Sequence, residues 1–281
     1  ISTPFDFPAG LAMALISEGF RIFPKSGSFF PERSVKNKDE VKRVRNALKI
    51  AESAMRKAEN ILAESSVSKG RILIWHGEVL TSEILRRMID VDISSNGATA
   101  KDTIVACGTD SSEPHNVGHG PLKACEPVII DIFPRAADCY WGDITRTFVK
   151  WKAPAKLLAI YDAVREAGEK AGKKAKAGVL ASELHQLSFD IMKSKGFKTG
   201  KMRGCNCGFF HGLGHGVGLD IHEEPRISPK NPKPLKNGNL VTIEPGLYYP
   251  SFGGIRIEDM ILIQQSGAEI LTNYHKDPII E

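Results

Sequence analysis

Hydrophobic residues recur at helical spacing over the longest regular stretch of the chain, which begins after Asn37. Its apolar positions, separated by lysine, arginine and glutamate, are Val41, Val44, Leu48, Ala51, Met55, Ala58 and Leu62. This spacing predicts an amphipathic helix with one buried face that ends before Gly70. The pattern also predicts a shorter helix over residues 10–20 and a third helix after Thr81.

An alternation of apolar and polar residues then replaces the helical spacing. It predicts strands at 103–107, 127–133 and 140–149, the last two as a hairpin. The second half repeats the order, with a long helix after Pro154, a helix that Ser182 caps and Gly196 closes, and strands at 240–249, 255–263 and 269–271. The repeated order predicts a pseudo-symmetric α+β domain whose helices cover one face of a curved sheet.

Length and composition restrict the class of protein. A chain of 281 residues is long for one small domain and short for three, so we expect one large domain or a large domain plus a fragment. Hydrophobic residues make up 42% and charged residues 25%, which excludes a disordered, collagenous or coiled-coil chain. The net charge of +5 comes without a dense basic run, and no apolar run reaches the length of a membrane span. We therefore expect neither nucleic acid nor membrane as a partner. The five cysteines favour a reducing, cytoplasmic location over a disulfide framework.

Each of two predicted hairpins carries one carboxylate on each arm. Asp131 and Asp143 lie in DIFPRAADCYWGDITRTF, and Glu244 and Glu258 lie in TIEPGLYYPSFGGIRIED. Because side chains alternate along a strand, Asp143 shares a face with Thr145 and the apolar neighbours face the other way. A single acid on a strand is usually an exposed residue. Four converging acids would repel one another, and two divalent cations would neutralise them.

The glycine-rich stretch HGLGHGVGLDIHEEP contains His211, His215 and His222. Its four glycines disfavour a helix, which excludes the helical histidine pair of many metalloproteases. The stretch also lacks the strand–turn–helix context of a dinucleotide-binding loop. A structural zinc site that joins Cys205 and Cys207 to these histidines is an alternative, although its spacing is far shorter than in a zinc finger.

Together these motifs resemble the pita-bread metallopeptidases, the family of methionine aminopeptidase, aminopeptidase P and prolidase. The resemblance covers about residues 35–272. The family's metal ligands follow the order Asp, Asp, His, Glu, Glu, which is matched by Asp131, Asp143, His215, Glu244 and Glu258. GDITRTF, HGLGHGVGLDIH, TIEPGLY and GIRIED look like the Xaa-Pro peptidase branch, and methionine aminopeptidases usually lack the arginine at Arg256. The complete ligand set argues against a creatinase-like role.

The resemblance implies a role for each ligand. Two divalent ions would be bridged by Asp143 and Glu258, with Asp131 completing one site and His215 and Glu244 completing the other. The ligand types suit Mn²⁺ and also admit Co²⁺, Zn²⁺ or Fe²⁺. The ions would activate a bridging water as hydroxide, and Glu244 is the expected proton shuttle.

Further residues are expected to act on the substrate. His222 and His115 are expected to be catalytic together with Glu244, because they could stabilise an oxyanion. His115, His211, His222 and Arg256 are the expected substrate-binding residues. His211 is expected mainly to shape the pocket.

Two features depart from the family pattern. The spacing between Asp131 and Asp143 is about one residue longer than we expect, so Asp138 is an alternative ligand in place of Asp131. Xaa-Pro peptidases also carry a whole N-terminal domain, and residues 1–36 resemble only its tail. We therefore expect a remnant of that domain at 1–36 and a catalytic domain at 37–281.

The expected function is that of a cytoplasmic metallo-aminopeptidase that cleaves the bond before proline. The expected partner is a peptide with a free N-terminus, and a homodimer is possible. Alternatives are a prolidase restricted to Xaa-Pro dipeptides, a methionine aminopeptidase, and a peptide- or chromatin-binding module that uses the same fold without catalysis.

Overall fold

The computed structural model describes residues 1–202 and 204–281. The α-helices in this part of the chain are α1 (Ala9–Ser17), α2 (Lys38–Glu64), α3 (Ser82–Ser95), α4 (Ala155–Lys174) and α5 (Ala181–Ser194). α2 begins where predicted because Asn37 caps it: its side chain accepts two N–H groups of the first turn, and the Glu40 side chain accepts the Asn37 N–H in return. α2 ends at Glu64, before Gly70 as predicted, because Ser66–Val67 leaves as a strand that pairs with Leu73–Trp75.

The strands are short and fall into two main sheets, one in each half of the chain. They are β1 (Ser2–Pro4), β2 (Phe23–Lys25), β3 (Ser66–Val67), β4 (Leu73–Trp75), β5 (Glu78–Val79), β6 (Ala98–Thr99), β7 (Ile104–Cys107), β8 (Val128–Ile132), β9 (Arg135–Ala136), β10 (Ile144–Lys150), β11 (Gly200–Met202), β12 (Cys205–Cys207), β13 (Gly214–Gly216), β14 (Glu223–Ile227), β15 (Leu240–Ile243), β16 (Gly246–Tyr249), β17 (Gly253–Arg256), β18 (Asp259–Ile263), β19 (Ala268–Ile270) and β20 (Ile279–Ile280). β7, β8 and β10 of the first half form a sheet with the last strand of the chain, in the order β20-β10-β8-β7, and the second half forms a sheet in the order β14-β13-β15-β18-β19.

Both acid-bearing hairpins are present, although the second is interrupted. β8 and β10 pair antiparallel, as do β15 with β18 and β16 with β17. The sequence predicts two continuous strands at 240–249 and 255–263, but the first breaks at Glu244–Pro245 and the second at Ile257–Glu258. Pro245 has no N–H to donate, and the Glu258 N–H donates to the carbonyl oxygen of Thr145 at 3.1 Å, in the other half of the fold. Glu244 and Glu258 therefore lie at breaks between strands, outside the regular hydrogen-bond pattern of the sheet.

The start of α5 differs from the prediction. The helix begins at Ala181, with Leu180 rather than Ser182 at the cap position. The N–H groups of Ala181 and Ser182 donate to the carbonyl oxygens of Lys233 and Asn231, at 3.1 and 3.0 Å. A neighbouring loop thus satisfies the first turn in place of a capping side chain.

Each sheet packs against the helices of its own half. Leu48 of α2 and Ile89 of α3 belong to the core of the first half, whereas Val164 of α4 belongs to the core of the second. Arg146, buried in β10, joins the halves because its guanidinium donates to the Glu258 carbonyl oxygen at 2.6 Å. A buried and fully paired arginine holds the two halves in one relative position.

Residues 1–36 form a small unit beside the two halves. β1 and β2 pair in parallel, and α1, which connects them, has no buried residue. The unit is attached where the Lys36 N–H donates to the carbonyl oxygen of Gly238 at 2.8 Å. Among the described residues, no helix combines the length and the apolar character that crossing a membrane requires.

Candidate metal centre

A cavity of about 430 Å³ lies between the two halves and brings the predicted site residues together. Its lining includes Asp131, Asp143, His215, Glu244 and Glu258, together with His115, His211, His222 and Arg256. Segments that are far apart along the chain therefore meet at one place.

Three of the predicted ligands form the tightest group. One ligand atom from each of Asp143, His215 and Glu258 lies within 4.8 Å of the other two, and all three residues are buried. His215 Nε2 is 3.7 Å from Asp143 Oδ2 and 3.3 Å from Glu244 Oε1. Carboxylate and imidazole donors at this spacing suit a divalent transition metal.

The turn before β10 presents Asp143 to the cavity. Asp143 directly precedes β10, and the Thr145 hydroxyl, two residues further on, donates to Glu258 Oε2 at 2.8 Å. A Cβ atom at Gly142 would lie 2.5 Å from the backbone carbonyl carbon of Ala47 in α2. α2 therefore packs directly against this turn, and only glycine leaves room for that contact.

The glycines around His215 allow close backbone approach. A Cβ atom at Gly214 would overlap the carbonyl oxygen of Thr242, and one at Gly216 would overlap that of Glu224. The Thr242 hydroxyl accepts the His215 N–H at 3.1 Å. His215 Nδ1 lies 3.2 Å from the carbonyl oxygen of Gly216, which leaves Nε2 directed at the acids.

Burial and mutual repulsion disfavour charge on the acids. Burial raises the pKa of Asp143 and of Glu258 well above their ordinary values, and the neighbouring carboxylates raise both further. Burial also raises the pKa of Glu244 to about 7. It lowers the pKa of His215 to about 3, so this imidazole is neutral at pH 7. A neutral imidazole beside carboxylates is the state that a metal ion requires of its ligands.

Asp131 gives a second indication that the site fits a cation. Its Oδ1 is buried and has no hydrogen-bond partner among the described residues, whereas its Oδ2 lies 2.6 Å from Arg256 Nη2. An unpaired buried acceptor costs free energy, and a cation at Oδ1 would satisfy it. The four carboxylates and one imidazole therefore fit divalent metal ions for two reasons: their donor atoms are of the right type, and Asp131 Oδ1 is buried without a partner among the described residues.

Arg256 lines the cavity, but its donors are directed at the protein. Besides Asp131, its guanidinium donates to the Tyr248 hydroxyl at 3.1 Å and to the carbonyl oxygen of Pro114 at 3.2 Å. The Tyr248 hydroxyl also lies 3.0 Å from His211 Nε2. Burial lowers the pKa of His211 to about 3, so His211 accepts this hydrogen bond as a neutral ring. These contacts orient Asp131, and direct substrate binding by Arg256 stays a prediction.

Exposed polar side chains also line the cavity. The His222 ring lies 4.4 Å from the His215 ring, nearly perpendicular to it, and His115 is exposed on a loop. The sequence carries no signal for Arg226, an exposed cation in the same lining that has no ion-pair partner among residues 1–202 and 204–281. The sequence gives no signal for Tyr248 either, because this residue occupies an ordinary apolar position of β16.

The alternative ligands lie outside the cavity lining. Asp138 pairs with Arg43 at 3.3 Å on the surface. Cys205 and Cys207 lie on β12, which pairs with β11, and neither belongs to the group around His215. The arrangement of the described residues thus favours the five ligands over both alternatives.

Comparison with known proteins identifies relatives over most of the chain. The model of metallopeptidase family M24 matches residues 42–265. The Xaa-Pro dipeptidase of Pyrococcus furiosus is 37% identical over 249 residues, which cover 87% of this chain and 65% of that protein. The Xaa-Pro dipeptidase of Pyrococcus horikoshii is 36% identical over 251 residues, with 88% and 65% covered. The chain thus spans 65% of the length of these curated relatives.

Solved structures share the fold. The prolidase from Pyrococcus furiosus matches 98% of this chain and 76% of its own, with a TM-score of 0.85 and 32% identity. The X-Pro aminopeptidase from Thermotoga maritima matches 97% of this chain and 72% of its own, with a TM-score of 0.81 and 27% identity. The predicted pseudo-symmetric α+β pita-bread fold is therefore confirmed. Since the family model covers most of the sequence and these folds coincide, the chain belongs to metallopeptidase family M24.

Proposed function

We propose that the chain is the catalytic part of a metal-dependent exopeptidase that hydrolyses the bond between an N-terminal residue and a following proline. The observation that carries this proposal is the convergence of ligand atoms from Asp143, His215 and Glu258 within 4.8 Å. The cavity that contains them is also lined by Asp131 and Glu244. The Xaa-Pro dipeptidases among the relatives support the choice of substrate.

The five acidic and histidine ligands would hold two divalent ions. Manganese is the proposed metal because carboxylate oxygens dominate the donor set, and cobalt, zinc and iron remain alternatives. When bound, such ions supply Lewis-acid activation of a water molecule at neutral pH. Burying Asp143 and Glu258 without a cation would only cost folding free energy, so a non-enzymatic binding module gains nothing from this arrangement.

The remaining groups of the cavity would move protons and stabilise charge. Glu244 uses Oε1 toward His215, and its Oε2 makes no hydrogen bond to a described residue, so this oxygen is available to take a proton from water. Partial burial of the His222 ring lowers its pKa, and a neutral His222 can donate a hydrogen bond to a developing oxyanion. His115, exposed in the same lining, would hold the substrate backbone.

A second candidate, restriction to dipeptides, is favoured by Arg226. This exposed guanidinium lines the cavity without a carboxylate partner in the described part of the chain. The C-terminal carboxylate of an Xaa-Pro dipeptide would provide that partner, and bidentate pairing is the usual geometry. A longer peptide has no carboxylate at this position, so Arg226 would favour the shorter substrate.

Four peptides separate these proposals: Ala-Pro, Ala-Pro-Ala, Ala-Ala-Ala and Met-Ala-Ser. After EDTA treatment and addition of Mn²⁺, we expect both proline peptides to be cleaved fastest, with Ala-Pro ahead if the chain is a dipeptidase. Replacing Arg226 with glutamine should then raise KM for Ala-Pro by about tenfold or more, the worth of a charged hydrogen bond. The amide Ala-Pro-NH₂, which lacks the carboxylate, is the matched control and should be unaffected. Faster cleavage of Met-Ala-Ser would refute the Xaa-Pro assignment.

The domain boundary, the assembly and the cellular location of the protein are also proposals. We propose that residues 1–36 are a remnant of a separate N-terminal domain, because α1 has no buried residue and every residue that lines the cavity lies beyond this segment. Homodimer formation and a cytoplasmic location stay predictions.

A further inference from the structure

A cluster of ion pairs joins the segment before α2 to the loop that carries His222. Lys36 Nζ donates to Glu223 Oε1, and Arg33 Nη2 lies 2.6 Å from Glu223 Oε2. Arg33 also lies 2.8 Å from Asp220 Oδ2. Both oxygens of one carboxylate are therefore bound by cations from a segment about 190 residues away in sequence.

The pair of Lys36 and Glu223 is buried although it lies at the edge of the fold. The Lys36 side chain is 2% exposed and the Glu223 side chain 10%. Buried pairs of this kind add little net stability, because desolvation offsets the attraction, but removing one partner leaves an uncompensated charge. A buried pair can nevertheless select one arrangement of the backbone that carries it.

Glu223 in turn restricts the loop around His222. A Cβ atom at Gly218 would lie 2.5 Å from Glu223 Oε1, so the carboxylate packs against the loop backbone at that point. Glu223 begins β14 opposite Gly216, the residue that follows His215. His222 immediately precedes Glu223 in the chain, and its ring centroid lies 4.4 Å from that of His215.

We propose that Lys36 and Arg33 are positioning residues that hold Glu223 and thereby fix His222 over the metal centre. The segment that precedes the long helix would then control the geometry of the reaction without contacting substrate. The proposal rests on the proposed function in so far as His222 acts on the substrate. Its structural part, an anchored loop at 218–224, stands apart from activity.

Replacement of Lys36 with methionine tests the proposal, since methionine keeps the stem and removes the charge. The matched control is Arg45→Met, which removes an ion pair with Glu269 of 2.6 Å at a distance from the cavity lining. The conservative variant is Lys36→Arg. If Lys36→Met does not fold, Arg33→Met removes one of the two cations from a less buried position.

The first measurement is backbone hydrogen exchange of the manganese-loaded protein. Lys36→Met should accelerate exchange of the amides at 218–224, and Arg45→Met should leave them unchanged. The second is kinetics with Ala-Pro. Lys36→Met should lower kcat roughly ten- to a hundredfold, the effect of a misplaced catalytic group, with KM changing far less and the metal content unchanged. Lys36→Arg should recover most of kcat.

Three results would overturn the proposal. Unchanged exchange at 218–224 would show that the loop is held without Lys36. A fall in kcat equal to that of Arg45→Met would show general destabilisation, and loss of metal would show a structural role. If the wild type cleaves no Xaa-Pro peptide, the proposed function fails while the exchange experiment still decides whether the loop is anchored.

Discussion

The metal-free protein should lose stability as the pH rises through the range in which the site acids ionise. Burial raises the pKa of Glu244 from 4.5 to about 7, and it shifts Asp143 and Glu258 in the same direction. An acid whose pKa is raised by folding prefers the folded state only while it is protonated. Its contribution is therefore fully present below pH 4.5 and is lost as the pH rises through about 7.

Glu244 sets the scale of the effect. A difference of about 2.5 pKa units, at 1.36 kcal/mol for each unit, corresponds to about 3 kcal/mol of folding free energy. Its side chain is 19% exposed, so solvent screening reduces this amount only slightly. The raised pKa values of Asp143 and Glu258 have the same effect and would make the loss of folding free energy with pH steeper.

Urea unfolding of the EDTA-treated wild type and of Glu244→Gln, between pH 4.5 and 7.5, measures this contribution. The variant cannot ionise, so its stability relative to the wild type should increase by about 3 kcal/mol across the range. Glu269→Gln, at a more exposed carboxylate, is the matched control and should show no such trend. Saturating Mn²⁺ should reverse the trend for the wild type, because the ion binds ionised ligands of the folded state alone. A difference between wild type and Glu244→Gln that stays constant with pH would refute the reasoning.

Four further substitutions test the site and its supports. Glu258→Ala should remove at least one metal ion per chain, whereas His222→Ala should retain the ions and lower kcat by about 10²–10³. If metal analysis shows that His222→Ala loses metal and Glu258→Ala keeps it, the roles assigned to these two residues are reversed. Thr145→Val removes the hydroxyl that donates to Glu258 and should weaken metal binding by about tenfold or more in a chelator titration. An unchanged metal affinity would show that Thr145 does not orient Glu258 for metal binding. Gly142→Ala should cost about 1–3 kcal/mol in urea unfolding, since its Cβ would meet the α2 backbone at 2.5 Å. Gly70→Ala, with open space around it, is the control, and equal losses would contradict the contact.

Local patterns predict the elements well where their cause is also local. The capping box at Asn37 and the alternation through β8 and β10 act within a few residues, so these starts and pairings are confirmed. The breaks in the second hairpin are different. Pro245 signals the first, but Glu258 leaves its ladder because of a carbonyl oxygen in the other half, which no local pattern contains. The start of α5 likewise depends on a loop about 50 residues later.

The site shows the same division. The acids among the proposed ligands could be selected from the sequence because charged residues on otherwise apolar strands are costly, and the cost is visible in the sequence. Arg226 and Tyr248 could not, since an exposed arginine and a strand tyrosine are ordinary in any chain. Arg226 is distinguished from other exposed arginines only by the cavity that it lines, and Tyr248 from other strand tyrosines only by its contacts with Arg256 and His211.

The proposed metal site depends on the docking of the two halves as much as on the proposed ligands themselves. Asp131 of the first half is held by Arg256 of the second, and Glu258 of the second half is held by Thr145 of the first. These two carboxylates therefore reach their positions only when the halves meet. Because the ions would bind ligands from both sides, metal binding and docking must stabilise each other. A substitution that weakens the contacts between the two halves, even one that touches no proposed ligand, should therefore weaken metal binding.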